Sequence, residues 1–257
     1  MKKKRLTLVI ALAFILLSID SSLYAQDEEW DIKKSKHFIV YHREVPTEYV
    51  SEVIREAEKY YKSIIDYLGF GRSIFWTWEN RCKIYLYSSR EQYLEMTNAK
   101  SWSAGKVHVI RKEIATHAKN EQFLDYVLPH EMGHIIFREA IGFDTYLPLW
   151  IDEGIAILQE KDRTEYLLAA KKFIKQKSFI PLYKLVEIKS YVGSFPCIFY
   201  SESASIMEFL IKKFNKRKFV SFCHSLQEGT DWKEALLKIY KFKSLKELEE
   251  AWIKDTL

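Results

Sequence analysis

The stretch His130-Glu131-Met132-Gly133-His134 decides how this chain is read, together with Trp150-Ile151-Asp152-Glu153-Gly154-Ile155-Ala156 downstream. Two histidines four residues apart on a helix stand one turn above the other on one face, so both imidazoles can converge on one tetrahedral metal. Glu131 is rotated about a quarter-turn further round, where it reaches a water on that metal without being a ligand. It is the candidate general base. A catalytic zinc takes three protein ligands and keeps one position open, and after eighteen intervening residues the second stretch supplies Glu153. The spacing therefore reads as one Zn2+ per chain held by His130, His134 and Glu153. The bland alternative is an amphipathic helix with two core histidines. A lone pentapeptide would leave that open, but both halves at this spacing argue against it.

HExxH, eighteen residues and then the acid of W-x-x-E-G-x-A resembles the gluzincins, the thermolysin and aminopeptidase N type of zinc peptidase, and the short peptidase MA-like proteins among them. The resemblance implies a zincin-like fold with the active site between two lobes, and a peptide or protein substrate. It also implies that Asp152, the residue before the third ligand, orients the second histidine. Read from the residues alone, Asp152 is equally an exposed acid stabilised at a helix start. Gluzincins hold the oxyanion with a downstream tyrosine or histidine. Here the positional match is Tyr200 in Phe199-Tyr200-Ser201-Glu202-Ser203-Ala204-Ser205, with Tyr191 and His224 behind it. Tyr200 also lies on a stripe with Ala204, Met207, Ile211 and Phe214, as a plain core residue would.

In the resembling peptidases an edge strand just ahead of the active-site helix lines the cleft. Gly105 to Ile110 stands in that place, so Gly105 and Val107 become candidates for holding a substrate main chain. An interior strand is the other reading, and His108 is a packing or surface residue rather than a ligand. Two departures matter. No glycine-rich exopeptidase motif precedes HExxH, which points to an endopeptidase rather than an aminopeptidase. The acid that follows four residues after the third ligand in thermolysin is here Ile157.

Residues Met1 to Arg5 are basic, Leu6 to Leu17 apolar apart from Thr7, and Ser18 to Ala25 mostly small and polar. This reads as a secretory signal peptide over 1–25, or as an uncleaved anchor that would tie the protein to a membrane. The expected location is outside the cytoplasm. Without those residues, 36 Lys and Arg face 34 Asp and Glu, so the formal charge falls from +5 to +2 and no nucleic-acid footprint remains. Cys82, Cys197 and Cys223 cannot all pair within one molecule, and a Cys197–Cys223 bridge is one option.

After a polar lead-in over 26–36, one domain is expected over 37–257, with lobes of about 37–142 and 143–257. Strands are expected at His37–His42, Cys82–Tyr87 and Gly105–Ile110, with helices from Pro46 to Gly69 and from Ser89 to Met96 between them. A helical pattern over Asn120–Ile141 is complicated by Pro129, which either kinks it or opens a new helix in its first turn. Gly133 implies close approach by another element, and Gly154 with Ala156 would let the second motif's helix pack against the first. Further helices are expected from Leu149 and at Arg163–Lys177, Pro196–Phe214, Lys216–Glu228, Asp231–Tyr240 and Ser244–Lys254, the last with a capping box at Ser244-Leu245-Lys246-Glu247. The fold class is α+β: a small sheet-containing N-terminal lobe and a mainly helical C-terminal lobe. The expected activity is exported zinc-dependent peptide hydrolysis. The rival is a catalytically silent zinc-binding scaffold on a peptidase fold, against which Glu131 argues.

Overall fold

The computed structural model describes residues 30–71, 76–100, 105–118, 120–189 and 196–257; the expected leader and Tyr191 lie outside them. Five strands, β1 (Asp31–Lys34), β2 (Phe38–His42), β3 (Cys82–Tyr87), β4 (Lys106–His108) and β5 (Glu113–His117), form one sheet in the order β1-β2-β3-β5-β4. The three inner strands run parallel and both edge strands antiparallel. One face of the sheet presents Phe38, Val40, Ile84, Leu86 and Ile114 to the main core. The other carries Tyr85, Tyr87 and Ala115, covered by Tyr93 and by Trp30, whose ring meets those of Tyr85 and Tyr87 edge-on.

Two strands differ from expectation. β1 falls inside the polar lead-in: as an exposed edge it buries neither face, so its residues show no apolar alternation. The expected strand over Gly105–Ile110 is a hairpin: β4 ends at His108, Lys112 takes a positive φ of 53°, and β5 returns. β5 reads Glu-Ile-Ala-Thr-His, yet all five residues are buried, so its polar ends concealed it.

Helix α1 (Thr47–Leu68) buries Val50, Val53, Ala57, Tyr61, Ile64, Ile65 and Leu68 at helical spacing and stops at Gly69, whose φ of 81° gives its N–H to the Ile65 carbonyl. α2 (Arg90–Thr97) starts from Ser89, whose hydroxyl accepts from the Gln92 N–H. Ahead of α3 (Leu128–Ile141), Phe123–Val127 forms a π-helical turn, so the pattern over Asn120–Ile141 is two pieces, with Pro129 in the first turn of the second. Leu128 through Phe137 are all buried, which makes α3 the central helix of the molecule.

The helical part follows as α4 (Leu149–Ile157), α5 (Arg163–Lys175), α6 (Leu182–Leu185), α7 (Pro196–Lys213), α8 (Lys216–Gln227), α9 (Trp232–Tyr240) and α10 (Leu245–Thr256). Ser244 caps α10 by accepting from the Glu247 N–H, but Glu247 reaches back to the Lys243 N–H rather than to Ser244 itself. The arrangement is the expected α+β division of a small mixed sheet and a mainly helical remainder.

Two glycines set the spacing of the central helices. A Cβ on Gly133 would stand 3.0 Å from the Ala156 Cα, so α3 and α4 meet at backbone distance there. Gly154 turns the other way, against α7, where a Cβ would stand 2.8 Å from both the Ser203 carbonyl carbon and Met207 Cγ. Only Ala156 therefore serves the α3 contact expected of both small residues. Gly154→Ala should lower stability by about 1–3 kcal/mol through overpacking against backbone. Urea titration gives the value, and an unchanged midpoint would rule out the tight contact.

Next to Ser203 on α7, buried Glu202 accepts the Ile180 N–H at 2.9 Å, and Glu249 from α10 accepts that of Leu182, so two carboxylates clamp the segment around Pro181. Burial pushes Glu202 up to about 8; the Ile180 N–H pulls the other way and the Glu249 charge adds to the rise. The folded value lies above the ordinary 4.5, so the contribution to stability is complete below pH 4.5 and is lost as pH rises through about 8. The unfolding free energy of the wild type from urea titration should therefore decline across that window by up to about 1.4 kcal/mol per pH unit relative to Glu202→Gln. Parallel curves for the two proteins would contradict it.

Candidate metal centre

The two motifs meet where α3 packs on α4. His130 and His134 lie on the buried face of α3, with their Nε2 atoms 3.2 Å apart. Glu153 brings Oε2 to 3.6 Å from His130 Nε2 and Oε1 to 4.0 Å from His134 Nε2. One ligand atom from each of the three lies within 4.8 Å of the others. Ligands at about 2.0–2.1 Å around a tetrahedral ion stand about 3.3 Å apart, so the donor set fits a zinc-sized cation.

The other ring nitrogens decide the tautomers. His130 Nδ1 faces Glu160 Oε1 at 2.8 Å, and His134 Nδ1 faces Asp152 Oδ1 at 3.1 Å. An ionised carboxylate can only accept, so each Nδ1 carries a proton, and in the neutral imidazole that leaves each Nε2 with a lone pair for a metal. Two lone pairs and a carboxylate aimed at one point need a cation between them. Burial opposes charging His130, but hydrogen bonding and charge from Glu153 and Glu160 outweigh it and hold its pKa well above the usual range. His134 is raised too: burial works against its charge, and Asp152 and Glu153 overcome that.

Asp152 is 1% exposed, and its second oxygen is held by Arg138, with Nε at 2.9 Å and Nη2 at 2.7 Å. Burial would raise this carboxyl, but His134 and Arg138 bring it down to about 2. The reading of Asp152 as an exposed helix-start acid is thereby corrected: it follows Trp150 and Ile151 into the core because it pairs there.

Glu131 is 1% exposed, and its Oε2 has no hydrogen-bond partner among the described residues. Burial raises its pKa; His130 and His134 lower it, and Glu153 and Glu160 add to the rise. An orphaned buried carboxylate oxygen beside a convergent donor set fits a site built around a cation and its water.

Two residues of this cluster carry no motif. Glu160 stands seven residues after Glu153, beyond the end of α4, and takes the first histidine where Ile157 left no acid to do so. Arg138 stands four after His134, one turn on along α3. The signal for Arg138 was its i+4 position on the ligand face; for Glu160 there was none within helical spacing.

Other candidates stand as follows. Tyr200 is buried in the first turns of α7, its ring edge-on to Phe199 at 5.3 Å, one turn before the Ser203 carbonyl that approaches Gly154. His224 lies in the last turn of α8 and lines an 80 Å³ hollow with Glu139 and Ala140, about 14 Å along α3 from His130. β4 is an edge strand, which settles its position, and the Val107 side chain turns into the core. A Cβ on Gly105 would stand 2.6 Å from Val127 Cγ1, so this end of β4 rests on the residue just ahead of α3. His108 Nδ1 accepts the Arg111 N–H within the hairpin turn. All three cysteines are free, with Cys82 and Cys223 buried, so the Cys197–Cys223 bridge does not form.

Arg138→Met should cost about 3–5 kcal/mol by stranding the Asp152 charge, and adding Asp152→Asn should recover part of the loss. Urea titration of the single and double variants decides it; a single variant within about 0.5 kcal/mol of wild type would mean the pair carries no such burden.

No helix among the described residues is long and apolar enough to cross a membrane. No curated protein matches the chain. The peptidase MA superfamily model matches residues 77–256, a span that holds β3 to β5, all helices from α2 to α10 and every residue of the buried His–Glu cluster. With a match over more than half its length and a donor set that fits a metal, this chain belongs to the peptidase MA superfamily.

Proposed function

We propose that the chain is an exported, zinc-dependent gluzincin-type metallopeptidase that cuts within peptide chains. The observation that carries this reading is the convergence of His130 Nε2, His134 Nε2 and Glu153, with both Nδ1 atoms committed to carboxylates and the orphaned Glu131 carboxylate beside them. Two imidazoles and a carboxylate favour Zn2+ over harder ions. Held by His130, His134 and Glu153, it supplies Lewis acidity for a carbonyl and an acidified water as nucleophile.

The remaining work falls to the protein's own groups. Glu131 accepts a proton from the attacking water at its carboxylate and passes it to the leaving amine. Arg138 fixes Asp152, and Asp152 fixes the His134 ring. The main chain of β4 from Gly105 through Val107 is the proposed ladder for an extended substrate, which fits its place at the sheet edge. Tyr200 is the proposed donor to the oxyanion. The absence of the exopeptidase motif from the sequence supports endopeptidase action, and the leader-like Met1–Ala25 supports export.

The purified protein, loaded with zinc and incubated with a complex peptide mixture, should produce new internal termini by mass spectrometry. Glu131→Gln should lower the rate by about 100-fold or more while retaining metal. His134→Ala should lose the metal. Zinc binding without any Glu131-dependent cleavage would move the assignment to the silent binding module, and a wild type that takes up no zinc would end both.

A further inference from the structure

Pro129 sits inside the π turn–helix junction, immediately before His130, and it leaves a mark on the backbone. In a continuous helix the Asp125 carbonyl would receive the N–H of residue 129, and proline has none. That carbonyl is taken instead by the Lys161 N–H at 3.0 Å, from the turn between α4 and α5. The side chains repeat the contact: Lys161 Nζ lies 2.7 Å from Asp125 Oδ2, and the Tyr126 hydroxyl donates to Asp162 Oδ2 at 2.6 Å. Asp162 holds the Tyr126 phenol up at about 12, as a bonded carboxylate would.

Between the end of α4 and this contact lies Glu160. Its N–H bonds the Ile157 carbonyl at 3.0 Å, and Arg163 Nη1 closes the turn on the Leu158 carbonyl at 2.7 Å. Glu160 is thus lifted out of the α4 register and set under His130, Oε1 to Nδ1, both side chains 2% exposed. Its other oxygen is buried with no hydrogen-bond partner among the described residues, and the Tyr166 phenol of α5 stands near the same carboxylate.

We propose that Glu160 is the positioning residue for the first metal ligand, and that the clasp of Asp125 and Tyr126 on Lys161 and Asp162 is what sets it there. The first histidine's affinity for metal then depends on a surface contact that includes no ligand. Surface ion pairs add little to stability, so the clasp acts through where it puts Glu160 rather than through how firmly it holds the fold. This inference rests on the zinc reading above.

The test uses the full metal-free protein, titrated with Zn2+ against a chromophoric chelator and with Co2+ followed by its visible absorption. Glu160→Ala should weaken zinc about 10- to 100-fold, and the surface pair Asp125→Ala with Tyr126→Phe should weaken it in the same direction by a smaller factor. Both should shift the cobalt bands, which report ligand geometry; a merely structural role would lower the melting temperature and leave the bands in place. The clasp pair carries the test even if Glu160→Ala does not fold. Wild-type protein that binds zinc alongside Glu160→Ala of equal affinity overturns the positioning role alone. Weakening by Glu160→Ala without any effect of the clasp pair overturns the clasp, and wild-type protein that binds no zinc overturns the metal reading and this inference together.

Discussion

Charge taken out of water must meet opposite charge, and that constraint governs the middle of this molecule. Glu131, Asp152, Glu153 and Glu160 are all buried around His130 and His134, and among the described residues the permanent cation set against them is Arg138, spent on Asp152. With neutral imidazoles the cluster is left strongly negative. A divalent cation between His130, His134 and Glu153 removes most of the excess, and burial that favours the protonated form of Glu131 relieves part of the rest. Without the cation, protons on the imidazoles take its part, which is why both histidine pKa values are raised. Metal loading, proton release and stability are therefore coupled in one cluster.

The cluster can be this dense because the helices that carry it approach at backbone distance. Gly133 admits Ala156, and Gly154 admits the Ser203 carbonyl, so α4 is pressed between α3 and α7 with no side chain as spacer at either contact. Such contacts leave little room for adjustment. The close approach at Gly133 is what brings Glu153 on α4 up to the two histidines on α3.

Much of this was legible beforehand, and the parts that were not share a cause. The two histidines, Glu131 and Glu153 could be read because helical geometry turns their spacing into one face. α1 and the capped start of α10 could be read because apolar period and capping chemistry are local. What escaped was decided by partners distant in sequence. β5 is buried by β3, thirty residues away, although it reads as polar; β1 escaped for the other reason, an exposed edge that pairs with its neighbour β2 without an apolar pattern. Asp152 left two readings open until Arg138 settled it from another helix. Glu160 belongs to no helical register shared with its ligand helix, and only the turn after α4 carries it to His130. Local rules name the ligands; the carboxylates that aim them come from tertiary structure.

The sheet also bears on the helix that carries the ligands, and one of its contacts is made at a glycine. β4 is an edge strand whose inner side is satisfied by β5, with Val107 opposite Ile114. Its first approach to the helical part is at Gly105, where the absence of a side chain lets the strand lie on Val127. Val127 closes the π turn and leads within three residues to His130. The open edge of the sheet and the segment that leads into α3 thus share one packed joint. A side chain at position 105 would move the strand away from the helix, and with it the distance between the edge and the metal donors. The hairpin therefore contributes more than a surface strand: its glycine fixes how far the sheet edge stands from the chemistry that the helices assemble.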